Sequence, residues 1–342
     1  MLPEKPASGH ARADCRLRGK DRRRLADSHA KPEFVEFVVN RVLTGMLLCW
    51  SLPSMALTFQ TRLENASWEA SGDQFECRLS QNVPDFGVGE FARRAGEPTV
   101  FRLKPREPSI KAGRAMLFAA APYWRPALRD IALGSVLLNE GDVLFTSDDQ
   151  QAGRLLTGFM EGRVAAVKQM QWKGGMPVEV RMLATNFMTP YNDYLKCVAG
   201  LLPVNFDQIK SSIIGFPGGG YDLEEVGRAK LEIIADYLKA DPSVTRVILE
   251  GHSDNSGNRL LNRDLSRRRA LAVGEYLKAL GIPEERMLIR FLGERQPLVP
   301  NNSAANRAKN RRVGLELSRV PVAEQTLVPP ASGDAEQATL SD

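Results

Sequence analysis

Only three histidines and four cysteines occur in the 342-residue chain. Neither set is arranged to hold a metal: there is no Cys-x-x-Cys pair and no histidine cluster, so no zinc site is expected. A Gly-x-Ser-x-Gly nucleophile elbow is also lacking. The run Gly218-Gly219-Gly220 lacks the Lys-Ser/Thr of a phosphate-binding loop and reads as a turn. His252-Ser253-Asp254 contains the residue types of a hydrolase triad, but three consecutive residues do not normally supply that geometry. The expectation is a protein with no catalytic residues, no metal and no cofactor.

A large charge of one sign is also missing once the amino terminus is set aside. The formal net charge is +5, but residues 1–56 hold ten Lys/Arg against six Asp/Glu, which leaves 36 against 35 elsewhere. A nucleic-acid partner is therefore not implied. Nor is there a comfortable membrane span, because the apolar run Val42–Leu52 is too short. With the basic flank Asn40-Arg41 before it and the small residues Ser54-Met55-Ala56 after it, this run has the layout of a secretory signal peptide. Residues 41–56 are read as that signal and 1–40 as an over-extended or disordered leader. The mature chain is then expected to begin at Leu57, in the periplasm and without a transmembrane segment. Of the four cysteines, Cys77 and Cys197 remain in the mature part, and an even pair in an exported chain points to a disulfide. Two unrelated buried thiols are the alternative.

What is present falls into two regions. Residues 57–202 alternate apolar and polar in short segments, such as Val100–Lys104 and Pro177–Ala184, separated by turn residues. They predict a mostly antiparallel β domain with one short helix near Tyr191–Ala199, and Asp148-Asp149 reads as a solvated turn. Residues 203–319 predict an α/β domain of order βαβαβ–β, a mixed sheet with both helices on one face. Its first helix is expected over Asp222–Ala240, with Leu223, Val226, Ile233, Ile234 and Tyr237 inward. The tail 320–342 is rich in Ala, Pro, Ser, Glu and Gln and reads as disordered.

The most informative stretch is Gly251–Leu280. A strand over Val244–Glu250 precedes it, and Gly281-Ile282-Pro283 closes the helix that follows. Helical spacing puts Asn262, Leu265, Arg269, Ala272, Val273, Tyr276 and Leu280 on one face, so Arg269 sits in an apolar stripe. A buried guanidinium requires an anion or several acceptors. Asp254, at the exit of the preceding strand, is the nearest candidate. Two readings fit: a structural ion pair, or a cleft in which Asp254 takes an ammonium and Arg269 a carboxylate.

The motifs GHSDN…NRDLSRRRA, LGERQP and NRAKNRRV, in this order, resemble those of the OmpA-like peptidoglycan-binding domain. The resemblance implies that Asp254 and Arg269 grip the diaminopimelate of the peptidoglycan stem peptide. It adds Asn262, Leu265 and Arg311 as further binding residues. Ser253, Phe291 and Asn306 depart from the family pattern at the border of the cleft. The upstream β region, the two cysteines and the lack of a mature membrane span together resemble the periplasmic flagellar-motor proteins of the T-ring. That resemblance implies partners in the flagellar basal body, with MotX-like and stator proteins, and a structural role in assembling stator units. A general envelope anchor is the alternative. A wall-remodelling enzyme is disfavoured, because 57–202 lacks clustered acid, base or metal-ligating residues.

Overall fold

A computed structural model describes residues 57–319; the expected leader over 1–40, signal over 41–56 and disordered tail over 320–342 fall outside the described residues. The first region contains ten strands in two five-stranded sheets. One sheet runs in the order β1 (Leu57–Gln60), β10 (Pro177–Met182), β9 (Val164–Gln171), β6 (Gly113–Ala120), β7 (Ile131–Leu138). The other runs β2 (Trp68–Gly72), β3 (Glu76–Val83), β4 (Gly87–Arg94), β5 (Val100–Pro105), β8 (Phe145–Thr146). All pairings are antiparallel except β1 with β10. Alternate residues of both sheets, among them Leu79, Phe91, Phe101, Leu117, Val167 and Val178, meet in one core. Each fully buried side chain of this kind contributes about 1.5–3 kcal/mol.

Two helices belong to this region. Helix α2 (Met188–Ala199) is the one the sequence predicts. Helix α1 (Asp149–Met160) falls where a solvated turn was expected. Asp148 is not an idle turn residue but its N-cap, accepting from the Gln151 amide, while the Gln151 side chain accepts from the Asp148 amide. Two internal glycines and a polar first turn hide the helical period, yet Ala152, Leu155 and Phe159 are buried on one face.

The second region has the sheet order β11 (Ser211–Gly215), β14 (Arg312–Ser318), β12 (Arg246–His252), β13 (Met287–Gly293), with only β12 and β13 parallel. A four-residue helix, α3 (Phe206–Ile209), precedes it. Helices α4 (Glu225–Ala240) and α5 (Arg259–Ala279) contribute Leu231, Ile234, Leu238, Val273 and Leu277 to one core with Val247, Leu249, Val313 and Leu315. A short helix, α6 (Ala304–Asn310), precedes the last strand. The mixed sheet with helices on one face is therefore as the sequence predicts. The stripe of α4 is not: Val226 is 82% exposed and Ile233 is also exposed, while Leu231, Ala235 and Leu238 are buried. The helix begins at Glu225 rather than Asp222, and its inner face follows a 231–234–238 line that excludes 226 and 233.

The regions meet through the β2–β3 and β4–β5 turns and the segment 202–208. The Leu202 amide donates to the Gln74 carbonyl (3.0 Å), Asn205 Nδ2 donates to the Ala95 carbonyl (3.0 Å), and Phe75 packs edge-on against Tyr237 (5.6 Å). Cys77 and Cys197 are joined by a disulfide across 120 residues, tying β3 to the end of α2. A loop of that length is worth about 4–5 kcal/mol in the chain-entropy model. Cys77→Ser or Cys197→Ser is therefore expected to lower unfolding free energy by up to that amount, measured by denaturant titration without reductant. Two free thiols in unfolded, non-reduced mature protein would contradict the bridge.

Candidate ligand-binding cleft

The cleft is built where β12 ends against the start of α5. Gly251 permits this contact: a Cβ there would lie 2.0 Å from the Ser266 carbonyl oxygen, so only glycine lets helix and strand approach this closely. Beyond it the β12–β13 register slips between Gly251 and His252, and the Ser253 amide donates to the Gly293 carbonyl (3.0 Å). The strand ends at His252, one residue after the slip, and Ser253 and Asp254 follow beyond it. Asn258 caps α5 by accepting from the Leu260 amide (2.8 Å), and the helix ends at the expected glycine, Gly281 at φ 92°.

Arg269 enters this junction and is completely buried. Its Nε donates to the Gly220 carbonyl (2.8 Å), Nη1 to the His252 carbonyl (3.0 Å) and Nη2 to the Gly219 carbonyl (2.6 Å). Its guanidinium also lies over the Phe216 ring at 5.6 Å. Three acceptors and an aromatic face offset the cost of burying the charge. Gly219 makes the loop possible, with φ at 86° in the left-handed region. Burial brings the Arg269 pKa down to about 10; the charge of Asp254 opposes this and that of Arg311 adds to it. The side chain stays cationic at neutral pH.

Asp254 faces a different arginine from the one expected. Its Oδ2 accepts from Arg311 Nη1 at 2.9 Å and its Oδ1 accepts from the Ser256 amide at 3.0 Å. Burial would raise the Asp254 carboxyl, but the Ser256 amide and Arg311, with the charge of Arg269 behind, hold it below the ordinary carboxylate value. Arg311 also donates to the Phe216 carbonyl (3.2 Å) and to that of Pro217. The side chains of Asp254 and Arg311 retain 12% and 18% exposure, so this pair, and not Arg269, forms the mouth of the cleft. Arg269 points inward as its helical position predicts, but its hydrogen bonds go to backbone carbonyls: two in a loop about fifty residues upstream and one at the end of β12.

Asn262 is buried and donates to Glu294 Oε2 at 2.7 Å, linking the first turns of α5 to the loop after β13. Leu265 is not brought to this group. The buried stripe of α5 is Asn262, Ser266, Arg269, Ala270, Val273, Gly274 and Leu277, which leaves Leu265 on the half-buried flank and places Leu277, not Tyr276, in the core. The closing motif divides by role. Asn310 is fully buried and staples the preceding loop: its Oδ1 accepts from the Leu298 and Val299 amides, and its Nδ2 donates to the Val299 carbonyl and Asn301 Oδ1. Arg312 is buried and donates to the Gln296 carbonyl (3.2 Å). Between them, Arg311 alone reaches the cleft. Phe216, Gly219 and Gly220 were absent from the expected site. Their contributions are a ring face and two carbonyls, and the Gly run was the only signal for them.

Comparison with known proteins follows this geometry. Residues 59–203 match the family model described as the MotY N-terminal domain, and residues 215–311 match the OmpA family. The protein is thus a two-part chain whose second part, which carries the cleft, is an OmpA-family domain. Ahead of it lies a MotY N-terminal domain. The chain is 27% identical over 292 residues to the sodium-type flagellar protein MotY of Vibrio parahaemolyticus, covering 83% of this chain and 98% of that one. Over 100 residues it is 38% identical to the peptidoglycan-binding protein ArfA of Mycobacterium tuberculosis, covering 29% of this chain and 30% of ArfA. The crystal structure of the peptidoglycan-associated lipoprotein from Burkholderia pseudomallei is 29% identical, covering 31% of this chain and 89% of that one, with a TM-score of 0.30. No helix among the described residues is long and apolar enough to cross a membrane.

His252 yields a pH prediction. Its ring is buried, its Nδ1 has no hydrogen-bond partner, and its pKa is lowered from 6.5 to about 4 by burial, with Arg312 adding and Glu250 opposing. The folded state binds the proton less readily than the unfolded one. This group's contribution is therefore complete above pH 6.5 and is lost as pH falls from 6.5 toward 4, an effect of about 3 kcal/mol at roughly 1.4 kcal/mol per pH unit. Denaturation at pH 7 and pH 4.5 should show a stability loss that is smaller by about 2–3 kcal/mol in His252→Gln. Equal losses in parent and variant would contradict the assignment.

Proposed function

We propose that the cleft binds the diaminopimelate of the peptidoglycan stem peptide, and that the chain anchors a flagellar-motor assembly to the cell wall. The observation that carries this reading is the Asp254–Arg311 pair, which keeps slight access to water, with a second guanidinium, Arg269, behind it. Such a mouth offers one anion and one cation, with a second cation buried behind them, to a ligand that ends in an ammonium beside a carboxylate. Each Asp254 oxygen accepts one hydrogen bond and keeps lone-pair capacity for an ammonium. Each guanidinium has five N–H groups; Arg311 and Arg269 each donate three hydrogen bonds within the protein. Arg311 makes the carboxylate contact at the mouth, and Arg269 adds charge from behind while holding the Gly218–Gly220 loop in place. Asn262 fixes the adjoining wall through Glu294; Leu265 packs on the flank.

The role is structural and non-catalytic. In this reading 203–319 is the wall-binding part. The part at 57–202 joins the basal body and a MotX-like neighbour in the periplasm and helps stator units assemble. The full-length similarity to a protein named as a flagellar component supports the motor over the alternative of a general envelope anchor. ArfA, which by its name binds peptidoglycan, supports the wall ligand. Loss of swimming with intact cell shape in a deletion strain would distinguish the motor role from a general anchor.

The cleft and its scaffold separate by mutation. Asp254→Ala and Arg311→Ala remove partly exposed groups and should leave the protein folded while weakening binding to purified peptidoglycan by about 30-fold or more, the loss of a charged hydrogen bond. Arg269→Ala instead orphans three carbonyls and opens a void, and should cost about 3–5 kcal/mol of stability. Arg268→Ala removes an exposed pair with Asp264 and an exposed contact with the Tyr221 ring, and should change stability by less than about 1 kcal/mol. Co-sedimentation together with thermal melting reads both properties. Asp254→Ala sedimenting like the parent would contradict the cleft.

A further inference from the structure

Beside the cleft, between the start of α5 and the end of the edge strand β13, lies a second concavity of about 230 Å³. Arg259, Arg263 and Arg295 line it, together with Leu260, Phe291 and Glu294. All three arginines are exposed, and none has a carboxylate partner or a side-chain hydrogen bond among the described residues. The one acid in the pocket, Glu294, already accepts from Asn262. Arg263 lies over the Phe291 ring at 5.3 Å, which holds its planar guanidinium on one wall. Most other arginines of this domain are spent. Arg268, Arg290, Arg311 and Arg319 pair with carboxylates, and Arg269, Arg286 and Arg312 donate to carbonyls. Three exposed guanidiniums without carboxylate partners, against one acid, give this pocket a net positive lining.

The pocket adjoins the strand end that leads to Asp254. Gly293 lines the pocket, and its carbonyl accepts from the amide of Ser253, the residue before Asp254. A peptide seated in the cleft by one residue carries its neighbouring residues toward this wall, at about 3.3–3.6 Å per extended residue. We propose that the pocket takes a second carboxylate of the same stem peptide, outside the diamino acid, so that the domain reads two anionic points along one peptide. This inference rests on the cleft binding that peptide. The forked guanidiniums suit a planar carboxylate, and Phe291 and Leu260 give its residue an apolar bed.

The test uses the mature chain and two soluble muropeptides that share an unmodified diaminopimelate. In one the remaining stem carboxylates are free; in the other they are amidated. The parent should bind the free form about tenfold more tightly, the worth of one charge-assisted contact. The double variant Arg263→Gln/Arg295→Gln should lose that preference and bind both forms as the parent binds the amidated one. Since both side chains are exposed, its melting temperature should match the parent's. Arg263→Lys, which keeps charge without the fork, should retain part of the preference. Parent protein that binds both muropeptides equally, or a double variant that keeps the preference, overturns the second anion site and leaves the cleft standing. Parent protein that binds neither overturns the cleft and this inference with it.

Discussion

A single buried guanidinium organises the second half of this protein. Arg269 cannot sit between β12 and α5 without acceptors, and the chain supplies three carbonyls from two separate segments. Satisfying it draws the Gly218–Gly220 loop over the helix and fixes where β12 stops. It also leaves Asp254 at the rim instead of in the core. Gly251 sets the clearance that brings the helix near enough for this to happen. The positive charge of Arg269 then favours the ionised form of Asp254, so the buried residue and the rim residue are electrostatically linked without touching.

The consequence is a division between scaffold and mouth. Arg269, Asn310, Arg312 and Ser266 are buried and satisfy backbone or loop groups; Ser266 Oγ, for example, accepts from the Gly293 amide at 3.1 Å. Asp254 and Arg311 keep partial access to water and residual hydrogen-bonding capacity. A rigid shell with two partly free ions at its opening is preorganised for a small zwitterion, because little side-chain freedom remains to be lost on binding. The β region lends this site no side chain. Its junction with the second region, through Phe75, Asn205 and Arg94–Asp207, sets where the cleft is presented.

Much of this was legible in the sequence, for physical reasons that can be named. The strand–turn–helix around Gly251, the Gly-Ile-Pro stop and the one-faced mixed sheet follow from local period and turn chemistry. Arg269 was read as inward because no helical rotation places it outside a stripe that contains Val273. The Cys77–Cys197 bridge followed from parity in an exported chain. Least legible were backbone partners distant in sequence. Backbone carbonyls have no residue identity, so the acceptors of Arg269 were invisible, and the nearest acid, Asp254, was assigned to it by default. Arg311 was named, but its pairing with Asp254 arises from the loop that Asn310 staples. Leu265, Val226 and Ile233 were misplaced by a fraction of a helical turn, enough to move an apolar side chain from core to flank. Helix α1 was missed because its capping box resembles a polar turn.

The central claim is that the cleft reads an ammonium and a carboxylate together. Calorimetric titration of the mature chain with two stem peptides of equal length, one carrying diaminopimelate and the other lysine, isolates it, because lysine keeps the ammonium and lacks the carboxylate. The account predicts that the diaminopimelate peptide binds at least about tenfold more tightly, the worth of one charge-assisted contact to Arg311. Equal affinity for the two peptides would contradict it.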